Sequence, residues 1–196
     1  MKNPCPRLWL ADIQEQTKHL TSLTNNLITL SRMEEERTRL QMIDFPFSDV
    51  VEETVKSFQA LARTQNKTFE SSIQPMISLY GDEKSLTQLV SILLDNAMKY
   101  STPEGEISLR LEKAGNNVKL SVYNTADSIN REQLPRLFDR FYRTDKSRSS
   151  RTGGYGLGLS IAAAVVNTHK GKITATTQDE HSLLITVTLP LKTQGR

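Results

Sequence analysis

In the run Leu93 to Ser101 (LLDNAMKYS), Asn96, Lys99 and Tyr100 fall at i, i+3 and i+4, so on a helix they share one face. A neutral amide oxygen is a sound ligand for Mg²⁺ where phosphates already supply the negative charge. Lys99 on the same face can neutralise a phosphate as a point charge. Asn and Lys are also common at any helix C-terminus, so this patch alone leaves a plain surface reading open. A second stretch is Gly153 to Ser160 (GGYGLGLS). Glycines let backbone N–H groups approach an anion closely, and a helix opening there aims its positive end at it. The run is not the Walker pattern, because no Gly-Lys-Ser/Thr follows. It is not the dinucleotide fingerprint either, because Leu159 stands where a third Gly or Ala would fall. By itself it reads equally well as a flexible hinge before a helix.

The elements that must position these residues follow from periodicity. Asp82 is expected to cap a helix running to about Tyr100, with Leu86, Leu89, Leu93 and Ala97 as its core stripe. Ile107, Leu109 and Leu111 alternate with polar residues, as do Val118, Leu120 and Val122, with Asn116-Asn117 between them. That is a hairpin with one buried face. Short helical pieces are expected from Asn130 to Tyr142, then a basic, Ser-rich mobile loop over Arg143–Thr152. Gly153–Gly158 leads into a helix through about His169, and two strands fit Lys172–Thr177 and Leu183–Leu189, with Asp179-Glu180-His181 near their turn. Upstream, Phe45-Pro46-Phe47 reads as a short strand before a helix over Asp49–Thr64, with Ser48 as its N-cap. Val51, Val55, Phe58 and Ala62 form its stripe. Lys67–Leu79 holds two short strands broken by Pro75. Parallel βαβ units do not dominate, so the fold class is α+β, a two-layer sandwich of one mixed sheet with helices on one face.

Before this domain, Leu8 to about Arg39 contains no Gly or Pro and reads as one long helix. Trp9, Ile13, Leu20, Leu23, Leu27 and Leu30, with Gln16 filling a gap, alternate by four and three. That is the seam of a coiled coil or bundle, although an amphipathic helix lying on its own domain has a similar stripe. The chain thus divides into 1–40, a bundle helix, and 41–196, a mixed domain. Apolar residues make up 37% and charged residues 24%, compatible with a soluble core. A net charge of +3 does not point to nucleic acid. The lone Cys5 excludes an internal disulfide and a CxxC zinc or redox motif. No apolar run approaches the roughly 20 residues that span a bilayer. MKNPCPRLW lacks a signal-peptide core, so the chain as given is expected to be cytoplasmic.

Taken in order, the motifs resemble the histidine-kinase branch of the GHKL ATP-binding superfamily over essentially the whole chain. Leu93–Ser101 is similar to its N box, Leu137–Arg143 (LFDRFYR) to its F box, and Gly154–Leu159 to its G2 box. The N-terminal helix, with LITLSR at Leu27–Arg32, resembles the second helix of the dimerisation and phosphoacceptor hairpin. The resemblance implies ATP and Mg²⁺ as cofactors. Asn96 would bind Mg²⁺, and Lys99 and Tyr100 would face the phosphates. Gly154, Tyr155, Gly156, Leu157 and Gly158 would line the phosphate-side turn. Phe138 and Phe141 would anchor the base of the ATP lid, and Arg143 would reach the γ-phosphate. It further implies a homodimer, a response regulator as partner, and a parent anchored in the membrane through a region preceding this sequence.

The sequence departs from the family in three places. Where the G1 box reads Asp-x-Gly-x-Gly before Ile, this chain has Asn124-Thr125-Ala126-Asp127-Ser128-Ile129. Asn124 can accept from the adenine amino group but can also donate, so a weaker preference for ATP over GTP is expected. The acceptor motif, His followed by an acidic residue and Thr-Pro, is absent. His19, His169 and His181 read as structural or solvated. Hydrolysing relatives such as gyrase place a Glu four residues before the Asn, and here that position is Ile92. The implied function is the catalytic ATP-binding portion of a sensor histidine kinase, acting on a histidine outside this sequence. A nucleotide-binding module without kinase activity is the alternative that the altered G1 box motivates. A serine kinase of the anti-sigma type is disfavoured by the N-terminal helix. A eukaryotic-type kinase is excluded by the lack of HRD and DFG motifs.

Overall fold

The computed structural model describes residues 40–143 and 156–191, together with Thr17, Thr21 and Thr24, which are helical and exposed. The seam residues of the N-terminal helix, the basic stretch after Arg143, and Gly153, Gly154 and Tyr155 lie outside the described residues.

The order is β1 (Met42–Pro46), α1 (Phe47–Thr64), β2 (Thr68–Ile73), β3 (Ser78–Asp82), α2 (Glu83–Tyr100), β4 (Glu106–Ala114) and β5 (Asn117–Thr125). A 3-10 helix (Arg131–Phe138), α3 (Gly158–Thr168), β6 (Lys172–Thr176) and β7 (Ser182–Pro190) follow. Five strands form one sheet in the order β2-β4-β5-β7-β6, and β1 pairs with β3 apart from it. β2 runs parallel to β4, and the remaining pairs are antiparallel, so the sheet is mixed as expected.

Period-2 patterning sets the sheet face. Leu109 pairs with Val122 and Leu111 with Leu120, while Leu120 and Val122 pair onward with Val187 and Ile185. All six are buried. A slip of one residue in β5 would turn Val118, Leu120 and Val122 outward, which fixes the register. The helices cover this face. α2 packs on β5 and lies against both α1 and α3. It buries Leu86, Leu89, Val90, Leu93, Leu94, Ala97 and Met98. Each fully buried Leu or Val contributes roughly 1.5–3 kcal/mol.

The helix ends are set locally. Asp82 caps α2, its Oδ1 accepting from Ser85 N at 2.8 Å and Ser85 Oγ at 2.6 Å. Its Oδ2 accepts from Gln41 N at 3.0 Å. α1 ends in a Schellman motif: Asn66 stands at φ 54°, Asn66 N–H bonds Arg63 O, and Lys67 N–H bonds Ala62 O.

Several expectations change. Ser48 is not the N-cap of α1: Pro46 holds that position, and Ser48 lies inside the helix. Its hydroxyl donates to Gln74 O at 2.7 Å and accepts from Ile77 N at 3.0 Å, tying the β2–β3 connection to the helix start. The hairpin turn is Gly115-Asn116, because Ala114 pairs with Asn117. Only Gly115 of the two has positive φ, at 61°, the pattern of a type II′ turn.

Candidate nucleotide site

The C-terminal half of α2 carries Asn96, Lys99 and Tyr100 on one helix, as the spacing predicts. Asn96 is half-buried, and among the described residues its amide has no hydrogen-bond partner. The amide is open to solvent and so is available to a ligand. Lys99 is exposed and pairs with Asp95 at 2.6 Å, one helical turn back. Such an exposed pair contributes only about 0.3–0.5 kcal/mol, so a phosphate can readily displace Asp95. Tyr100 is half-buried beside it.

α3 begins next to this helix. A Cβ built on Gly158 would lie 3.5 Å from Ile92 Cγ2, one turn before Asn96. No side chain caps the start of α3. Its first bond from the helix start is Ile161 N–H to Leu157 O, so the N–H groups of Gly158, Leu159 and Ser160 have no acceptor among the described residues. Unsatisfied donors at a helix N-terminus form an anion site. Leu157 itself is buried in the core, so its side chain sets the helix start and does not face the site.

Gly156 has a more specific task than flexibility. It sits at φ 71°, and a Cβ there would lie 2.7 Å from Tyr142 O and 2.8 Å from Phe141 C. Phe141 N–H donates to Gly156 O at 3.0 Å. Two backbone segments therefore cross at contact distance. Phe138 is partly buried against the core. Phe141 is not an anchor through its ring, which is 64% exposed at a backbone φ of 61°. It holds the crossing through its N–H instead, because at positive φ its side chain turns away from the core. Arg143 is half-buried at the edge of the described residues.

On the sheet side, Asn124 is 2% exposed and lies on the inner face, between Ile107 and Leu183. Its Nδ2 donates to Thr125 O at 2.8 Å. That bond orients the amide and uses one of its two N–H donors, leaving Oδ1 as an acceptor and the second N–H as a donor. The altered G1 segment is held by the β6–β7 turn. Ala126 N–H bonds His181 O and Ile129 N–H bonds Glu180 O, both at 2.7 Å. Arg131 adds a bond to Gln178 O at 2.8 Å. Ile129 is partly buried against the core. Thr125 was missed as a site residue. Its carbonyl orients Asn124, and nothing in the spacing of side chains reports a backbone acceptor.

A five-stranded mixed sheet with its helices on one face is the two-layer sandwich of the GHKL ATP-binding fold. The chain belongs to the family of histidine kinase-, DNA gyrase B- and HSP90-like ATPases, whose description matches residues 81–193. It is 32% identical over 183 residues to the sensor protein DltS of Streptococcus agalactiae serotype III (strain NEM316), covering 93% of this chain and 46% of DltS. It is 31% identical over 183 residues to the signal transduction histidine-protein kinase BaeS of Escherichia coli K12, covering 93% of this chain and 39% of BaeS. The chain thus spans less than half the length of these relatives. Among solved structures, the Acinetobacter baumannii histidine kinase AdeS superposes with a TM-score of 0.75 at 25% identity, covering 97% of this chain and 87% of that one. Two more distant kinases share the fold. Full-length ShkA in complex with AMPPNP has a TM-score of 0.80 at 21% identity, covering 100% of this chain and 41% of ShkA. ThkA in complex with the response regulator TrrA has a TM-score of 0.77 at 21% identity, covering 100% of this chain and 55% of ThkA.

Proposed function

We propose that this chain is the catalytic ATP-binding portion of a sensor histidine kinase, and that it binds MgATP between α2, the start of α3 and Asn124. The observation that carries this is the Asn96 amide. It is half-buried, has no partner among the described residues, and lies one turn beyond the contact between Ile92 and the uncapped start of α3. The donor set fits the group. Among the described residues no cluster of three or more His, Cys, Asp or Glu could hold a metal, so Mg²⁺ would depend on phosphate oxygens with Asn96 as a neutral ligand.

Bound MgATP supplies the γ-phosphoryl for transfer to a histidine nitrogen. The chain's own residues would orient the phosphates and offset their charge: Asn96 and Lys99 from α2, the N–H groups at the start of α3, and Arg143. Catalysis of a loose phosphoryl transfer rests largely on such positioning. Ile92 packs against the core at the place where hydrolysing relatives carry Glu, so no base is offered there to activate water. Slow hydrolysis suits a group meant for a protein acceptor. The acceptor histidine, a homodimer, a response regulator and a membrane anchor belong to the proposed whole protein. The regulator bound to ThkA supports the second partner. Among the described residues no helix is long and apolar enough to cross a membrane.

The test is calorimetry of MgATP with the parent and Asn96→Ala, followed by phosphoryl transfer to a supplied acceptor hairpin. Loss of MgATP binding in the variant with its fold retained is expected. Equal affinities would sink the assignment. Binding without transfer would favour the second reading, a nucleotide module without kinase activity, which Ala126 and Ser128 in the G1 segment motivate.

A further inference from the structure

The end of α2 is held by a residue from outside the nucleotide site. Lys67 is the last residue of the Schellman motif that ends α1, and its backbone N–H is fixed on Ala62 O at 3.0 Å. That turn sends its side chain to the C-terminus of α2. Nζ donates to Met98 O at 2.9 Å, to Ser101 O at 3.1 Å and to Ser101 Oγ at 2.5 Å. An ammonium has three donors, and here all three meet acceptors. The last carbonyls of a helix have no intrahelical partner and carry its negative end, so a cation placed there satisfies both needs. Ser101 is itself buried, and its N–H closes the helix on Ala97 O at 3.0 Å. Burial holds the Lys67 ammonium below its ordinary pKa, as expected of a group taken partly out of water.

The carbonyls that Lys67 binds, Met98 O and Ser101 O, flank Lys99 and Tyr100, and the first of them follows Asn96 by about half a turn. A lysine that only stabilised the domain could act at any helix end. This one fixes the turn from which the phosphate-facing side chains project. We propose that Lys67 is a positioning residue for the phosphate end of the nucleotide site, acting through the last turn of α2 without touching the ligand. The proposal rests on the reading of that site as one for MgATP.

The experiment compares the full 196-residue chain with Lys67→Met, which keeps the stem and removes the three donors. Affinities for MgATP and for adenosine are measured by calorimetry well below both melting temperatures. MgATP affinity should fall about tenfold, the scale of one lost bond from a charged donor, while adenosine affinity stays level. Lys67→Arg, which keeps the charge but presents its donors in one plane, should recover part of the loss. A lower melting temperature with MgATP affinity unchanged would overturn the proposal, as would an equal loss for both ligands. If Lys67→Met does not fold, the same two titrations on Lys67→Arg decide: a selective loss for MgATP supports the proposal, and no selective loss refutes it. Failure of the parent to bind MgATP at all would instead refute the site reading beneath it.

Discussion

At residue 124 a single bond reverses an expectation. An asparagine free to rotate could offer a donor to guanine O6 and so weaken selection for adenine. The Asn124 amide is not free, because its Nδ2 is given to Thr125 O. Turning it would set Oδ1 against that carbonyl and forfeit the bond, a penalty of roughly 1–3 kcal/mol in a buried place. Held in this way, Asn124 keeps Oδ1 as its acceptor. The parent should prefer ATP to GTP, and Asn124→Asp should leave the ratio within about threefold, well under one hydrogen bond's worth. Titration of both nucleotides into both proteins checks this. A tenfold sharper ratio in Asn124→Asp would restore the rotating-amide picture.

At the scale of elements, Asp82 and Gly156 show how backbone needs choose residues. Both Asp82 oxygens accept, one from Ser85 and the other from Gln41 N–H. Burial pushes its pKa up, but these bonds outweigh burial and leave it below the ordinary carboxylate range. A depressed folded pKa contributes stability that is present above the unfolded value of about 4 and is lost as pH falls through the folded value. Asp82→Asn keeps one acceptor and sets an NH2 group against a donor. Its melting temperature at pH 7 should be lower, by about 0.5–2 kcal/mol of stability, and the gap to the parent should close below about pH 4. A constant gap across that range would remove the charge from the explanation.

Gly156 and Gly115 both have positive φ, yet only Gly156 is crowded, by the backbone of Phe141 and Tyr142. Gly115 has nothing within 4 Å. Ala at 115 should cost about 1–2 kcal/mol from conformation alone, and Ala at 156 distinctly more, since backbone must move as well. Denaturant unfolding of both variants measures the difference, and equal costs would mean that the crossing yields easily. This pair also marks what sequence conveys. The stripes of α1 and α2 and the alternation of β4, β5 and β7 were legible because periodic apolar residues declare a buried face. That Asn96, Lys99 and Tyr100 share a helix was legible from i, i+3 and i+4 spacing. The role of Ser48, the crossing at Gly156 and the Lys67 cap were not, because each is a contact with backbone distant in the chain.

For the whole molecule, the question is where the phosphoryl group can go. Among the described residues the core runs from Phe45 to Leu189. Deleting residues 1–39 should leave melting and MgATP affinity close to the parent's, and a truncated chain that fails to fold would move that boundary. Two of the three histidines can then be judged as acceptors. His169 is buried, and its Nε2 accepts Asp82 N–H at 3.0 Å, so the ring proton sits on Nδ1 and goes to Val165 O at 2.8 Å. Phosphorylating either nitrogen would break that pairing inside the core. His181 is exposed, with Nδ1 on Asp127 O at 2.9 Å, at the turn that holds the G1 segment. It is followed by Ser182, Leu183 and Leu184, not by the acidic residue and Thr-Pro of an acceptor motif. His19 lies outside the described residues, in the segment that resembles the second helix of the hairpin. With MgATP alone, the chain should take no acid-labile, base-stable label, while a supplied hairpin bearing an acceptor histidine should be labelled. Label that survives His181→Ala but disappears in His19→Ala would show that the N-terminal helix carries its own acceptor, and the assignment of that helix would have to change.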